Sequence, residues 1–263
     1  MATRASADIV ATLRDVGIIP VVRARSADTA VRVAETLVEA GIPVAEITLT
    51  VPDAVGVIGT VARRFAGRAL VAAGTVTDAD AARRAIDAGA EVVVTPCLLP
   101  EVIAVARRLG GQMLVAAGTV TDAAAARRAI DAGAEVVVTP CLVPEVIAAA
   151  RAAGITVIAG ALTPTEVLQA SNAGADLVKV FPAQAVGGAA YIRALRAPFP
   201  AIPLVPTGGV TLEAVADFLD AGAAALGVGG ELVRRDALER GDYDAIGTLA
   251  RHFVRAISAA RGG

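Results

Sequence analysis

One unit recurs along the chain: an apolar run rich in valine and isoleucine leads through a short turn into an alanine-rich amphipathic stretch that ends in glycine. Strands that alternate with helices of about 10–15 residues indicate a parallel sheet covered by helices. No linker rich in glycine, serine or proline interrupts the series, so we predict one α/β barrel domain over residues 1–263. The predicted strands are residues 18–22, 43–49, 70–75, 92–96, 114–119, 136–140, 155–160, 176–182, 202–207 and 223–229.

A tandem repeat explains why ten strands are predicted, two more than the common α/β barrel contains. Residues 70–113 recur as residues 114–157, and 36 of the 44 aligned positions are identical. Each copy contains two strand–helix units, so the chain without one copy has eight strands. Closing all ten strands would widen the barrel beyond what its small inward side chains can fill. We therefore predict a TIM-type (βα)8 barrel with one copy displaced or swapped into a neighbouring subunit; the alternative is a ten-stranded barrel.

The only lysine among the 24 basic residues is Lys179, which lies in the apolar run 176–183. Such a run is typical of a buried strand. A buried ammonium without a partner is costly, and its pKa falls until the amine becomes neutral. A neutral amine on a rigid strand is suited to Schiff-base formation with a carbonyl substrate. The alternative is a stray lysine in an arginine-rich sequence, although a solvated helix face would be its more usual place.

Further candidates follow the carboxyl ends of the predicted strands, where barrel enzymes carry their reacting groups. Glu46 lies inside an apolar strand, and burial would raise its pKa and suit it to proton transfer near neutral pH. The alternative is that Glu46 only pairs with an arginine. Two glycine pairs, 208–209 and 229–230, open loops before helices, where backbone N–H groups can bind a phosphate.

Composition limits the possible partners. The net charge of −2 and the pI near 5.5 do not favour binding to nucleic acid or to an anionic membrane. No run approaches the roughly 18 apolar residues of a membrane span, and the first residues lack a signal-peptide pattern. Cys97 and Cys141 occupy equivalent positions in the two copies of the repeat. We expect a cytoplasmic protein without disulfides.

The ordered motifs of this chain resemble the 2-keto-3-deoxy-6-phosphogluconate (KDPG) and 4-hydroxy-2-oxoglutarate (KHG) aldolases over nearly its whole length, once one copy is set aside. The resemblance implies a class I lyase of carbohydrate metabolism, of the Entner–Doudoroff type, that uses no metal or other cofactor. It also implies a homotrimer that cleaves a small keto-acid substrate to pyruvate and an aldehyde. The motifs are Glu46-Ile-Thr-Leu-Thr, Ala73-Gly-Thr-Val, Thr95-Pro, Thr163-Pro-Thr-Glu, Val178-Lys-Val-Phe-Pro-Ala, Pro206-Thr-Gly-Gly-Val and Gly227-Val-Gly-Gly.

The same resemblance implies residue roles: Lys179 forms the Schiff base and Glu46 is the general acid and base. Thr50 stands where many members have an arginine for the substrate carboxylate, so Arg23 is expected to supply that charge. Gly230 stands where many have a serine on the phosphate, so only a modest preference for phosphorylated substrate is expected. The implied substrate-binding residues are Arg23, Thr50, Thr75 or Thr119, Pro96 or Pro140, and Phe181, and the implied phosphate-binding residues are Gly208, Gly209, Gly229 and Gly230.

Two other classes of protein remain as alternatives. A magnesium-dependent phosphate-binding barrel would need clustered acidic ligands, whereas Glu46 is the only acidic residue among the predicted strand ends. A non-catalytic phosphosugar-binding or inactive barrel would result if the duplication disrupted the site. Trapping with pyruvate and borohydride separates both alternatives from an aldolase.

Overall fold

A computed structural model describes residues 16–18, 20–110, 114–227, 233 and 235–261. Helices alternate with the strands of one parallel sheet, in the arrangement of a TIM-type barrel. The strands are β1 (Val21–Val22), β2 (Val44–Thr48), β3 (Leu70–Gly74), β4 (Val92–Thr95), β5 (Leu114–Ala117), β6 (Val136–Val138), β7 (Thr156–Ala161), β8 (Leu177–Val180) and β9 (Leu204–Pro206). The helices are α1 (Ala27–Glu39), α2 (Ala54–Arg64), α3 (Ala79–Asp87), α4 (Pro100–Gly110), α5 (Ala123–Ala132), α6 (Pro144–Ala152), α7 (Pro164–Ala173), α8 (Gly188–Arg196), α9 (Leu212–Asp220), α10 (Arg235–Arg240) and α11 (Tyr243–Arg261).

Both copies of the repeat are hydrogen-bonded into the sheet. The strand order follows the chain from β1 to β9, with β3 and β4 from the first copy and β5 and β6 from the second. β4 pairs with β5 over four residues, from Val92 beside Leu114 to Thr95 beside Ala117. The prediction that one copy is displaced or swapped is therefore wrong. Expelling a copy would expose an unpaired apolar strand edge, and incorporation into the sheet removes that edge.

Residues 224–227 join the two edges of the nine-stranded sheet. On one side, the backbone N–H groups of Ala224 and Gly227 donate to Leu204 O at 2.8 Å and Pro206 O at 3.0 Å on β9. On the other side, Leu226 N donates to Gly17 O, ahead of β1, at 3.4 Å. Leu226 and Gly227 thus donate to opposite neighbours, whereas Ala224 and Gly227 both donate to β9, so these residues do not keep the alternation of a regular strand. Within residues 223–227, the one β-bridge joins Gly227 to Thr207, so the described part of the tenth predicted strand, 223–229, is not a regular strand. Residues 228 and 229 lie outside the described part of the chain.

The sheet has two apolar faces, because successive side chains of a strand point to opposite sides. The outer face packs against the helices and is represented by Ile47, Val93 and Val137, all fully buried. The inner face has its own cluster of buried residues: Val44, Leu70, Ala72, Val92, Leu114 and Val136. Nearer the carboxyl ends, inner residues such as Ala116 and Val138 are only partly buried. The interior is therefore packed at the amino ends of the strands and more open where the chemistry is expected.

Identical local sequences in the two copies fold alike. The Asp78 carboxylate accepts a hydrogen bond from Ala81 N at 2.7 Å, and Asp122 accepts one from Ala125 N at the same distance. These aspartates cap α3 and α5, which satisfies N–H groups that the first turn of a helix leaves free. Among the described residues, no helix combines the length and apolar character that a membrane crossing requires.

Candidate active site

Lys179 projects from the inner face of β8. The neighbouring residues Val178 and Val180 are fully buried on the outer face, and Lys179 lies beside Gly160 of β7 and Val205 of β9. Burial lowers the pKa of the Lys179 ammonium, because the charged form loses hydration. No residue in the described part of the chain forms an ion pair that would restore the charge. The surroundings therefore favour the neutral, nucleophilic amine.

Phe181 lies beside this amine. Its ring centroid is 5.3 Å from Lys179 Nζ, and the residue is 47% exposed. The ring provides a flat apolar surface next to the nitrogen. The structure thus brings Lys179 and Phe181 together, as the sequence motif predicts.

Glu46, the candidate general acid and base, lies on the inner face of β2. It lies two residues after the buried inner residue Val44, between Val21 of β1 and Ala72 of β3. Burial raises the pKa of the Glu46 carboxyl, and the positive charge of Arg23 partly offsets that increase. Arg23 is exposed at the end of β1 and lines an open cavity of about 800 Å³, whose lining does not include Glu46 or Lys179. Arg23 therefore acts on the Glu46 carboxyl through its charge.

Gly74, at the end of β3, provides the space that the Glu46 carboxyl group occupies. A methyl group on residue 74 would lie 2.8 Å from Glu46 Cδ, inside the normal contact distance. Its counterpart in the second copy, Gly118, has Thr95 O as its nearest neighbour, at 3.0 Å from a methyl group. Sequence reasoning treats both glycines only as small inward residues. The two glycines differ in their contact with Glu46 because β3 pairs with β2, which places Gly74 beside Thr48.

The twin threonines after β3 and β5 share an unusual backbone. Thr75 has φ of 58° and Thr119 has φ of 53°. A β-branched residue in the left-handed region is strained by about 1–3 kcal/mol, and such strain concentrates at functional sites. Thr75 is half-buried and directly follows Gly74, whereas Thr119 is exposed between β4 and β6. Only Thr75 is therefore next to the strand that carries Glu46.

The twin Thr-Pro turns after β4 and β6 also have different neighbours. The Thr139 hydroxyl accepts a hydrogen bond from Gly160 N at 2.9 Å and donates one to Cys141 O at 2.7 Å. Gly160 is the β7 residue that lies beside Lys179. The Thr95 hydroxyl is buried and has no hydrogen-bond partner among the described residues. Pro96 and Pro140, which follow these threonines, are both exposed at the carboxyl edge of the sheet.

The remaining predicted binding residues lie at two other strand ends. Thr50 is exposed after β2, and its hydroxyl is 2.9 Å from that of Thr48. Gly208 and Gly209 follow β9 with φ of 88° and 73°, a conformation that favours glycine. No described residue accepts a hydrogen bond from either backbone N–H. Gly229 and Gly230 lie outside the described residues.

Comparisons with known proteins point to one family. The family model for KDPG and KHG aldolases matches residues 9–112 and again residues 100–249. A 2-dehydro-3-deoxy-phosphogluconate aldolase of Dickeya dadantii is 33% identical over 243 residues, covering 92% of each chain. The KHG/KDPG aldolase of Escherichia coli K12 is 30% identical over 238 residues, covering 90% of each. A solved structure described as native KDPGal superimposes with a TM-score of 0.54 at 29% identity, over 94% of this chain and 96% of the other.

Each of the two family matches contains one copy of the repeat: the first includes nearly all of residues 70–113, and the second includes all of residues 114–157. Together the matches cover far more than half of the chain. The protein therefore belongs to the KDPG and KHG aldolase family.

Proposed function

We propose that the protein is a class I aldolase that cleaves a 2-keto-4-hydroxy acid, such as KDPG or KHG, to pyruvate and an aldehyde. One observation carries the proposal: the only lysine of the chain lies on the inner face of β8, where burial lowers its pKa and no described residue pairs with its charge. In a family of keto-acid aldolases, such an amine is the natural partner for a ketone.

The reaction follows from the chemistry of Lys179 and Glu46. The neutral Lys179 amine attacks the C2 ketone, and the carbinolamine loses water to give a protonated imine. The Glu46 carboxylate accepts the proton of the C4 hydroxyl, directly or through one water, and the C3–C4 bond breaks. The electron pair moves into the iminium to form an enamine, and the aldehyde leaves. Protonation of the enamine at C3 and hydrolysis of the imine release pyruvate and restore the amine.

Burial adjusts both groups to these tasks in opposite directions. It lowers the pKa of Lys179, so more of the amine is neutral at physiological pH. It raises the pKa of Glu46 toward neutrality, where proton transfer in both directions is most efficient. The iminium accepts the electron pair that a metal would otherwise stabilise.

Binding roles are proposed for the strand ends around these groups. Arg23 supplies a positive charge near Glu46 for an anionic substrate group, and Phe181 packs beside the imine. The N–H groups of Gly208 and Gly209, for which no described residue is an acceptor, are suited to a phosphate or a second carboxylate. Gly229 and Gly230 remain predicted members of the same anion site.

We also propose a ten-stranded barrel as the working form, since residues 224–227 bond to both β9 and Gly17. The alternative of a barrel disabled by its duplication is less well supported. Between Glu46 and Lys179, the arc through β1, residues 224–227 and β9 contains none of the duplicated strands. A single domain, a homotrimer and a cytoplasmic location are carried over from the family resemblance and the composition.

Reductive trapping tests the proposal directly. Pyruvate with borohydride should add one reduced adduct, and peptide mass spectrometry should find it at Lys179, because the chain has no other lysine. Omitting either pyruvate or borohydride is the control. Labelling confined to the amino terminus, or no labelling, would refute the assignment.

The glycine twins provide a second test. In Gly74→Ala, the new methyl group displaces the Glu46 carboxyl, and an ångström of misplacement costs about a hundredfold in rate. Gly118→Ala is the matched control, because it makes the same change in the same local sequence without approaching Glu46. We expect kcat for aldol cleavage to fall about a hundredfold in the first variant and to change little in the second. Equal losses in both variants would mean that Gly74 has no specific relation to Glu46.

A further inference from the structure

We infer that the active site is assembled from both copies of the repeat. The first copy supports Glu46 through β3, which pairs with β2. The second copy supports Lys179 through Thr139, on the turn after β6, which bonds to the neighbouring strand β7. Thr139 is thereby assigned as a positioning residue. The inference rests on the proposed function, because it specifies which of two nearly identical segments serves each catalytic group. Thr75 and Pro140 are then the members of their pairs that belong to the site.

The order of the strands separates the copies. β2, which carries Glu46, pairs with β3 of the first copy, and β7 pairs with β6 of the second copy. The copies meet where β4 pairs with β5. A chain with one copy would retain the pairings of β2 and β7 with the repeat, but it would have no counterpart of the β4–β5 junction. That junction is the new contact that the duplication creates.

The second copy is bonded to the strand beside Lys179. Thr139 accepts its hydrogen bond from Gly160, whose register partner on the next strand is Lys179. The turn also packs closely: a methyl group on Gly160 would lie 2.5 Å from Cys141 N. One hydroxyl thus connects the turn after β6 to the backbone of β7, and β7 in turn bonds to β8. Loss of the Thr139 hydroxyl would therefore let the backbone of β7 shift, and Lys179 is held against that strand.

The first copy has the same residues but lacks this bond. Val92–Leu98 is identical in sequence to Val136–Leu142, and yet no described residue bonds to the Thr95 hydroxyl. The neighbouring strand explains the difference. β7 remains extended through Ala161, which directs the Gly160 N–H toward Thr139. β5 ends at Ala117, and Thr119 has already turned into the left-handed region.

Matched valine substitutions distinguish the two threonines, because valine keeps the shape and removes the hydroxyl. Thr139→Val leaves a buried N–H group of Gly160 without its acceptor, so the melting temperature should fall by about 5 °C. Thr95→Val removes a buried hydroxyl that bonds to nothing, so the melting temperature should rise by a few degrees. The same substitution is thus expected to shift the melting temperature in opposite directions at the two positions, and calorimetry can measure both shifts without any substrate.

Activity measurements complete the test. Thr139→Val should lower kcat about tenfold, and Thr139→Ser, which restores the hydroxyl, should recover most of the rate and the stability. Thr95→Val should leave kcat unchanged. Equal effects of the two valine variants, or a rate loss confined to Thr95→Val, would overturn the assignment of the copies. If the unmodified protein takes no label from pyruvate and borohydride, the proposed function fails instead, and the melting temperatures still decide between the copies.

Discussion

Lys179→Met should abolish both aldol cleavage and labelling by pyruvate and borohydride. Methionine retains the length of the side chain but has no amine, and no second lysine can replace it. The assay is release of pyruvate from KDPG and from KHG, with the labelled fraction measured by mass spectrometry. Cleavage that persists in this variant would show that the imine forms elsewhere or that no imine is needed.

The stability of Lys179→Met separates loss of chemistry from loss of fold. Since burial lowers the pKa of Lys179 below 10.5, the folded state binds its proton less tightly than the unfolded state. Stability attributable to this group therefore rises with pH between the folded pKa and 10.5, and below the folded pKa the cost of burying the charge is present in full. At neutral pH we expect the variant to be at least as stable as the unmodified protein, with a weaker dependence on alkaline pH.

Glu46→Gln is expected to reduce kcat by about 10²–10⁴, the usual contribution of general acid–base catalysis. Glutamine keeps the shape of the side chain beside Gly74 but cannot accept the proton of the C4 hydroxyl. Labelling by pyruvate should persist in part, because attack by Lys179 does not require Glu46. Glu101→Gln, on the outer helix α4, is the control and should retain full activity. A loss of less than tenfold in Glu46→Gln would assign the glutamate a structural role.

The pH dependence of stability that Glu46 contributes has the opposite sign to the dependence that Lys179 contributes. The pKa of Glu46 is raised above 4.5 by burial, so between 4.5 and the raised pKa the folded state binds more protons than the unfolded state. Stability attributable to this group therefore falls as pH rises through that window. The glutamine variant lacks this dependence and should unfold at an equal or higher temperature at neutral pH, as differential scanning calorimetry would show.

Much of this site could be predicted from the linear sequence, because the relevant signals are local. A lone lysine in an apolar strand, a glutamate in another and glycine pairs after strands identify Lys179, Glu46 and Gly208–Gly209 as candidates. Parallel strands direct their carboxyl ends to one edge, so these groups were expected to share that edge. The start of α7 is set by local contacts too: the Thr163 hydroxyl accepts a hydrogen bond from Glu166 N, and the Glu166 carboxylate accepts one from Thr163 N.

The prediction for the repeat was wrong because it depends on competition between long-range contacts. Displacing one copy leaves an unpaired strand edge, whereas inserting both widens the sheet and leaves inner residues such as Ala116 partly exposed. Neither cost can be read from residues close together in sequence. In the structure, all four duplicated strands are paired.

Local sequence is sufficient to determine local conformation in this protein, as the repeat demonstrates. Asp78 and Asp122 cap their helices in the same way, and Thr75 and Thr119 adopt the same left-handed backbone. The tertiary structure alone decides what each twin contacts. Gly74 meets Glu46 whereas Gly118 does not, and the Thr139 hydroxyl bonds to Gly160 whereas the Thr95 hydroxyl bonds to no described residue. The physical reason is that a strand's neighbours depend on its place in the sheet, and two identical segments cannot occupy the same place.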